Sequence, residues 1–170
     1  QEETLRALRA ELGLDLPASL RYLNWLGEVL QGNLGRSYTY DTPVQELLLN
    51  RVELSLPLAL LAILLSTGIA IPLGVFAASR HRKVADTGIM GFAQLGVAVP
   101  NFWFAILLIL LFSVKLGWFS AGGFAGWDAG WFPAFKSLVL PAVALALPQA
   151  AILARVTRSS VLETVQEDYI

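Results

Sequence analysis

The chain has 170 residues, of which 56% are hydrophobic and 15% charged, and its formal net charge is -1. Ordinary soluble domains are about 25% charged, and a near-neutral balance gives no electrostatic reason to expect a nucleic-acid partner. With no cysteine and a single histidine, a disulfide framework, a thiolate metal site, a cysteine nucleophile and a multi-histidine metal centre are all excluded within the chain.

The opening Gln1-Glu-Glu-Thr-Leu-Arg6 is charged and lacks both an initiator Met and an apolar core. It is therefore not a signal peptide, and the true N-terminus is expected upstream. Leu5, Leu8 and Leu12 share a helical face up to Gly13 and Asp15. Pro17 then opens a second amphipathic helix carrying Leu20, Leu23, Leu26 and Leu30, ended by Gly32. Thr42-Pro43-Val44-Gln45 has the order of an N-cap, a first-turn proline and a capping-box glutamine, so a third helix is predicted to start there. Residues 1–53 thus read as a helical region, resting on a membrane surface or forming a cap outside it.

Two long uncharged stretches follow, Leu54–Ser79 and Thr87–Val114, separated by Arg80, His81, Arg82 and Lys83. At about 1.5 Å per residue, each is long enough to cross a hydrocarbon core of about 30 Å as a helix. A third stretch, Leu138–Ala154, is at the lower limit for a span, and Lys136 can extend it by snorkelling. The predicted fold is therefore all-α and polytopic, with spans at about 54–79, 87–114 and 137–154 forming a transmembrane region over 54–170. In the third span Ala142, Ala146, Ala150 and Ala154 recur every fourth residue, a ridge of small side chains that lets another helix approach closely.

Pro72, Pro100 and Pro148 each remove a helical hydrogen bond, freeing the carbonyls of Gly68, Gly96 and Ala144, so kinks or breaks are expected at all three. Gln94, Asn101 and Gln149 are the polar residues of interest at membrane depth. They either hydrogen-bond between helices or line a path for a polar solute. No acidic or basic side chain lies inside the three spans, which weighs against a proton-coupled carrier or a voltage sensor.

Orientation follows from the basic residues. Arg80, Arg82 and Lys83, and again Arg155 and Arg158, place residues 80–86 and 155–170 in the cytoplasm by the positive-inside rule. Residues 1–53 and 115–136 are then outside. Trp118, Trp127 and Trp131 crowd the second of these, as in an interfacial aromatic belt.

Catalytic motifs are missing. Gly27 and Gly32 have the spacing of a phosphate-binding loop, but Asn33-Leu34 stands where Lys and Ser/Thr are required. His81 sits in a basic loop without a nucleophile to serve. The chain is not read as an enzyme.

Taken in order, Tyr22-Leu-Asn-Trp-Leu26, Gly32-Asn-Leu-Gly-Arg-Ser37, Pro43-Val-Gln-Glu-Leu47, Ile71-Pro-Leu-Gly74 and Val99-Pro-Asn-Phe-Trp103 form a recognisable series. Leu116-Gly-Trp-Phe119, Leu140-Pro141, Arg155-Val-Thr-Arg158 and Glu167-Asp-Tyr-Ile170 continue it. The series resembles the first permease subunit of bacterial dipeptide and oligopeptide ABC importers, over nearly the whole chain.

That resemblance implies a subunit of about six spans, of which this sequence is expected to be a fragment holding the second to fourth. It implies ATP-driven uptake of short peptides through the cytoplasmic membrane by alternating access. The implied partners are a second permease, two ATP-binding subunits, an extracytoplasmic solute-binding protein and membrane lipid. ATP would be bound by those partners, with no cofactor in this chain. Residues Glu163, Glu167, Asp168 and Tyr169 fall on the approach to the loop that docks on the ATPase. Related importers carry nickel, glutathione or other small solutes, and a non-transporting membrane scaffold is the alternative of a different class.

Overall fold

The computed structural model describes residues 13–166 together with Glu2, Arg6 and Arg9. The predicted helix of Leu5, Leu8 and Leu12 lies outside the described residues. The chain divides into two compact units, Gln1–Glu53 and Leu54–Ile170.

In the first unit, helix α1 (Ala18–Leu30) follows Pro17, whose extended backbone starts the helix without a side-chain cap. It ends in a Schellman turn. Asn33 N–H donates to Glu28 O at 2.9 Å and Gly32 N–H to Val29 O at 3.0 Å, with Gly32 at a φ of 85° that a Cβ would strain. No residue of α1 is buried within the chain, and Leu20, Leu23 and Leu30 are exposed.

Two short strands, β1 (Arg36–Ser37) and β2 (Thr42–Pro43), then pair antiparallel with Arg36 opposite Pro43 and Ser37 opposite Thr42. Arg36 locks the turn, donating to Asp41 O at 2.7 Å and to Asp41 Oδ1 at 2.9 Å. This hairpin corrects the capping-box reading. Thr42-Pro43 belongs to a strand, the helix begins at Val44, and Thr42 Oγ1 is buried with no hydrogen-bond partner among the described residues.

Helix α2 (Val44–Ser79) is 36 residues long, so the predicted third helix and the first span are one element. At about 1.5 Å per residue it measures about 54 Å, well beyond a hydrocarbon core. The polar first turns, with Glu46, Arg51 and Glu53, continue directly into the apolar run.

In the second unit the 80–83 turn leads to α3 (Val84–Ala98), then to α4 (Asn101–Leu108), which runs on as a π-helical stretch, Ile109–Lys115. The π stretch shows its wide turn where Leu116 N–H reaches Leu111 O at 3.0 Å. Helix α5 (Trp131–Val165) closes the unit with 35 residues, extending the predicted third span at both ends. The second predicted span is not one straight helix. α3 and the α4 segment meet at an angle of 99°.

Pro100 is where the chain breaks. Val99 is extended at φ -87° and ψ 126°, and Pro100 at φ -61° and ψ 133°, because the proline ring crowds the residue before it out of the helical region. The kinks or breaks expected at Pro72 and Pro148 are not breaks: both prolines, and also Pro57 and Pro141, lie inside continuous helices. Each of these costs one ladder hydrogen bond while flanking bonds carry the helix on.

The core is built from small residues. Ala142, Ala146, Ala150 and Ala154 on α5 are at most 3% exposed, and Ser66, Ala70, Gly74 and Ala77 make a matching buried stripe on α2. Ala70 packs with Ala150 and Ala154, flanked by Ile69 and Leu153. The approach is closest at Gly74, where a Cβ would stand 2.7 Å from the Ala154 carbonyl oxygen. Lipid tails are as apolar as leucine, so close backbone approach and dispersion, rather than expulsion of water, hold such helices together.

At the other end of the unit the loop before α5 is filled with rings. Phe112 and Trp118 are 5.7 Å apart, Trp127 and Trp131 5.5 Å, and Trp127 and Phe135 5.9 Å. Lys136 Nζ stands 5.9 Å from the Phe119 ring centre. Ser113 Oγ ties the π stretch to the loop by donating to Phe119 O at 2.6 Å.

Candidate functional site

Three features have functional geometry: the break in α3–α4, an apolar cleft beside it, and a charged junction at the far end of α3.

Pro100 and Asn101 form the break itself, with Asn101 as the first residue of α4, while Gln94 lies on α3 and Gln149 on α5. All four are exposed on this chain. The structure therefore does not bury the three polar side chains against one another inside this unit. They point to surroundings beyond it, available to a neighbouring subunit, lipid or solute.

The cleft has a volume of about 470 Å³ and lies where α2, α3 and α5 face the break, with Leu73, Phe92, Gly96, Val99, Leu147 and Ala151 on its walls. Its lining includes no polar side chain. A peptide group entering it would leave N–H and C=O unpaired, at a cost of roughly 2–7 kcal/mol per group. The cleft is suited to apolar packing and not to holding a peptide.

The charged junction was not singled out in the sequence as a site. Asp86 on the first turn of α3 is 3% exposed. Arg158 on α5 grips it with a two-pronged contact, Nε to Oδ1 and Nη2 to Oδ2, the latter at 2.7 Å. Arg82 N–H donates to the same Oδ2 at 3.0 Å, and His81 Nδ1 lies 3.1 Å from Arg158 Nη2 and 3.5 Å from Asp86 Oδ2. Both partners stand outside the apolar stretches, in residues 80–86 and 155–166. The Arg158 hydrogen bonds hold the Asp86 carboxyl down to about 2, against burial, which raises it, and with help from the Arg82 N–H. The Asp86 carboxylate in turn raises Arg158. The available signal was compositional: Asp86 is the sole acidic residue between Glu53 and Asp128.

Of the residues expected on the approach to an ATPase, Glu163 is exposed near the end of α5. Glu167, Asp168 and Tyr169 lie outside the described residues. No group of three or more His, Cys, Asp or Glu that could hold a metal occurs among the described residues.

Residues 70–170 match the family described as the binding-protein-dependent transport system inner membrane component. The chain belongs to this family. Family membership and the apolar helices give it the helical fold of such membrane permeases and support an inner-membrane location.

Several relatives extend the likeness over the whole chain. It is 43% identical to a putative peptide transport system permease protein of Brucella abortus (strain 2308), with 99% of this chain and 54% of the relative covered. To the oligopeptide transport system permease protein of Bacillus subtilis (strain 168) it is 41% identical, covering 93% and 51%. A probable peptide ABC transporter permease of Sinorhizobium fredii is 36% identical, covering 99% and 54%. The chain spans about half the length of the curated relatives it matches.

Proposed function

We propose that this chain is part of the permease of an ATP-driven importer that moves short peptides across the cytoplasmic membrane by alternating access. The observation that carries the reading is the likeness, over nearly the whole chain, to proteins named as peptide and oligopeptide permeases. A second permease would complete the pore, and two cytoplasmic subunits would bind and hydrolyse ATP. A solute-binding protein outside the membrane would deliver the peptide. Neither ATP nor any other cofactor is assigned to this chain.

In this reading α2 and α5 each cross the membrane, and α3 with α4 crosses as one broken span. Residues 1–53 and 115–136 lie outside, the former as part of the surface on which the binding protein docks, and residues 80–86 and 155–170 are cytoplasmic. The broken backbone at Val99–Pro100 supports a role at the translocation path, since irregular backbone at membrane depth is tolerated where it is covered by protein or lines a cavity. Gln94, Asn101 and Gln149 would face that path or the second permease, and Glu163 would lead toward the ATPase.

The test is uptake of labelled di- to hexapeptides by proteoliposomes containing the complete gene product with its neighbouring permease, ATPase and binding-protein subunits. Uptake requiring both ATP and the binding protein is expected. A complex that moves nickel or glutathione but no peptide would reassign the substrate. Failure to assemble with any ATPase would overturn the importer reading in favour of a scaffold. Replacing residues 1–53 should abolish binding-protein docking with the assembly intact.

A further inference from the structure

The Asp86–Arg158 junction joins two segments 72 residues apart in sequence, and the elements it joins have different destinations. Arg158 sits on the last part of α5, beyond its alanine ridge and before Glu163. Asp86 sits on the first turn of α3, the helix that ends at the Val99–Pro100 break.

The junction also holds strain. Arg82 has a φ of 61°, a left-handed conformation that is unfavourable for a residue with a Cβ. Its N–H is aimed at Asp86 Oδ2. One carboxylate therefore closes the strained turn through Oδ2 and receives the Arg158 fork across both of its oxygens. A two-pronged guanidinium contact fixes orientation as well as distance, which a single ammonium does not. Arg80, Arg82 and Lys83 remain exposed around it, so Asp86 is not simply neutralised by whichever cation is nearest in sequence.

We propose that Asp86 and Arg158 are positioning residues that make the 80–83 turn, the start of α3 and the 155–165 segment of α5 move as one body, so that displacement of α5 is delivered to the broken span. This rests on the proposed import function for its direction of travel, from the ATPase side through α5 to α3 and the break. The two helices also pack along their length, where a Cβ at Gly96 would meet Ala151 Cβ at 3.4 Å. Contact between small apolar groups is non-directional, and the fork adds a fixed orientation at one end of it. Removing the carboxylate charge releases the turn and lets α5 move without α3, so that hydrolysis continues and import does not follow.

This chain contributes no cysteine of its own, and any cysteine elsewhere in the complete gene product or its partners is replaced by serine before labelling. Spin labels at Lys83→Cys and Ser159→Cys in the complete gene product, assembled with its partners in lipid, report the separation of turn and helix. The parent should give a narrow distance distribution and Asp86→Asn a broad one, with peptide uptake per ATP hydrolysed falling about tenfold while the ATPase rate is retained. Arg158→Lys, which keeps the charge and loses the fork, should lie between the two in both readouts. A narrow distribution in Asp86→Asn overturns the proposal, and so does a broad distribution with unchanged uptake per ATP. Should Asp86→Asn fail to assemble, Arg158→Lys decides alone: broadening with lowered coupling supports the fastener, and parent-like behaviour overturns it. A parent complex without ATP-dependent uptake counts against the importer reading only, because the distance measurement still decides whether the pair fastens the two segments.

Discussion

Helices α2 and α5 are nearly equal in length and both are apolar enough to cross a membrane, yet the chain uses them differently. Half of the most apolar window of α5 is buried within the chain, against 22% of that of α2. Hydropathy does not distinguish them; side-chain size does. α5 alternates Ala142, Ala144, Ala146, Pro148 and Ala150 along buried positions, whereas α2 keeps one narrow stripe of small residues and turns Leu56, Leu60, Ile63 and Leu64 outward. In lipid a leucine gains little by leaving the surface, so the protein-facing side of a span is the side where backbones can meet.

Glycine substitutions break this comparison most sharply. Gly74→Ala places a methyl group against the backbone oxygen of Ala154 and should destabilise the protein by roughly 3 kcal/mol, read as a shift in the denaturation midpoint of the complete protein in detergent micelles. Ala150→Leu overfills the same seam, and a loss of about 2 kcal/mol is expected from the same titration. On the same helix as Gly74, Gly68 has open space around it. Gly68→Ala should therefore have the opposite sign, a gain of about 0.5–1 kcal/mol from helix propensity. Leu64 is 70% exposed, and Leu64→Ala should change stability by less than about 0.5 kcal/mol. Equal losses at Gly68 and Gly74 would remove the distinction between the two faces.

The smallest effect is acid-dependent. Asp86 titrates at about 2 in the folded chain against its usual 3.8. A carboxylate lowered by folding contributes stability that is complete above the unfolded value and is lost as pH falls toward the folded one. Thermal unfolding followed between pH 5 and 2 should show a destabilising component below about pH 4 that Asp86→Asn lacks. An identical pH profile in the two proteins would mean that the junction contributes nothing to the fold.

The all-α architecture and the three apolar stretches were legible because length and absence of charge suffice to mark them. The alanine ridge was legible for a related reason, since its four-residue period sets small side chains on one face and the structure buries that face. The break at Pro100 was not separable from the continuous helices at Pro72 and Pro148. Ile71-Pro72 and Val99-Pro100 both put a β-branched residue before proline, and only the second pair leaves the helix. The proline rule states a preference that tertiary surroundings override. Thr42-Pro43 failed for a similar reason, because pairing with Arg36–Ser37 took the residues that would have capped a helix. The junction of Asp86 and Arg158 was hidden because no local pattern links residues so far apart. Gln94, Asn101 and Gln149 were visible as polar residues, but their outward placement depends on how α3, α4 and α5 rotate.

The 99° bend makes the crossing of residues 84–115 the central structural claim of the transport reading. The direct measurement is labelling of single cysteines at Lys83→Cys and Gly122→Cys in intact cells with a membrane-impermeant maleimide, before and after permeabilisation. Position 122 should react in intact cells and position 83 only after permeabilisation, because one broken span separates them. Reaction of both positions under the same condition would make α3 and α4 a re-entrant hairpin and contradict the topology.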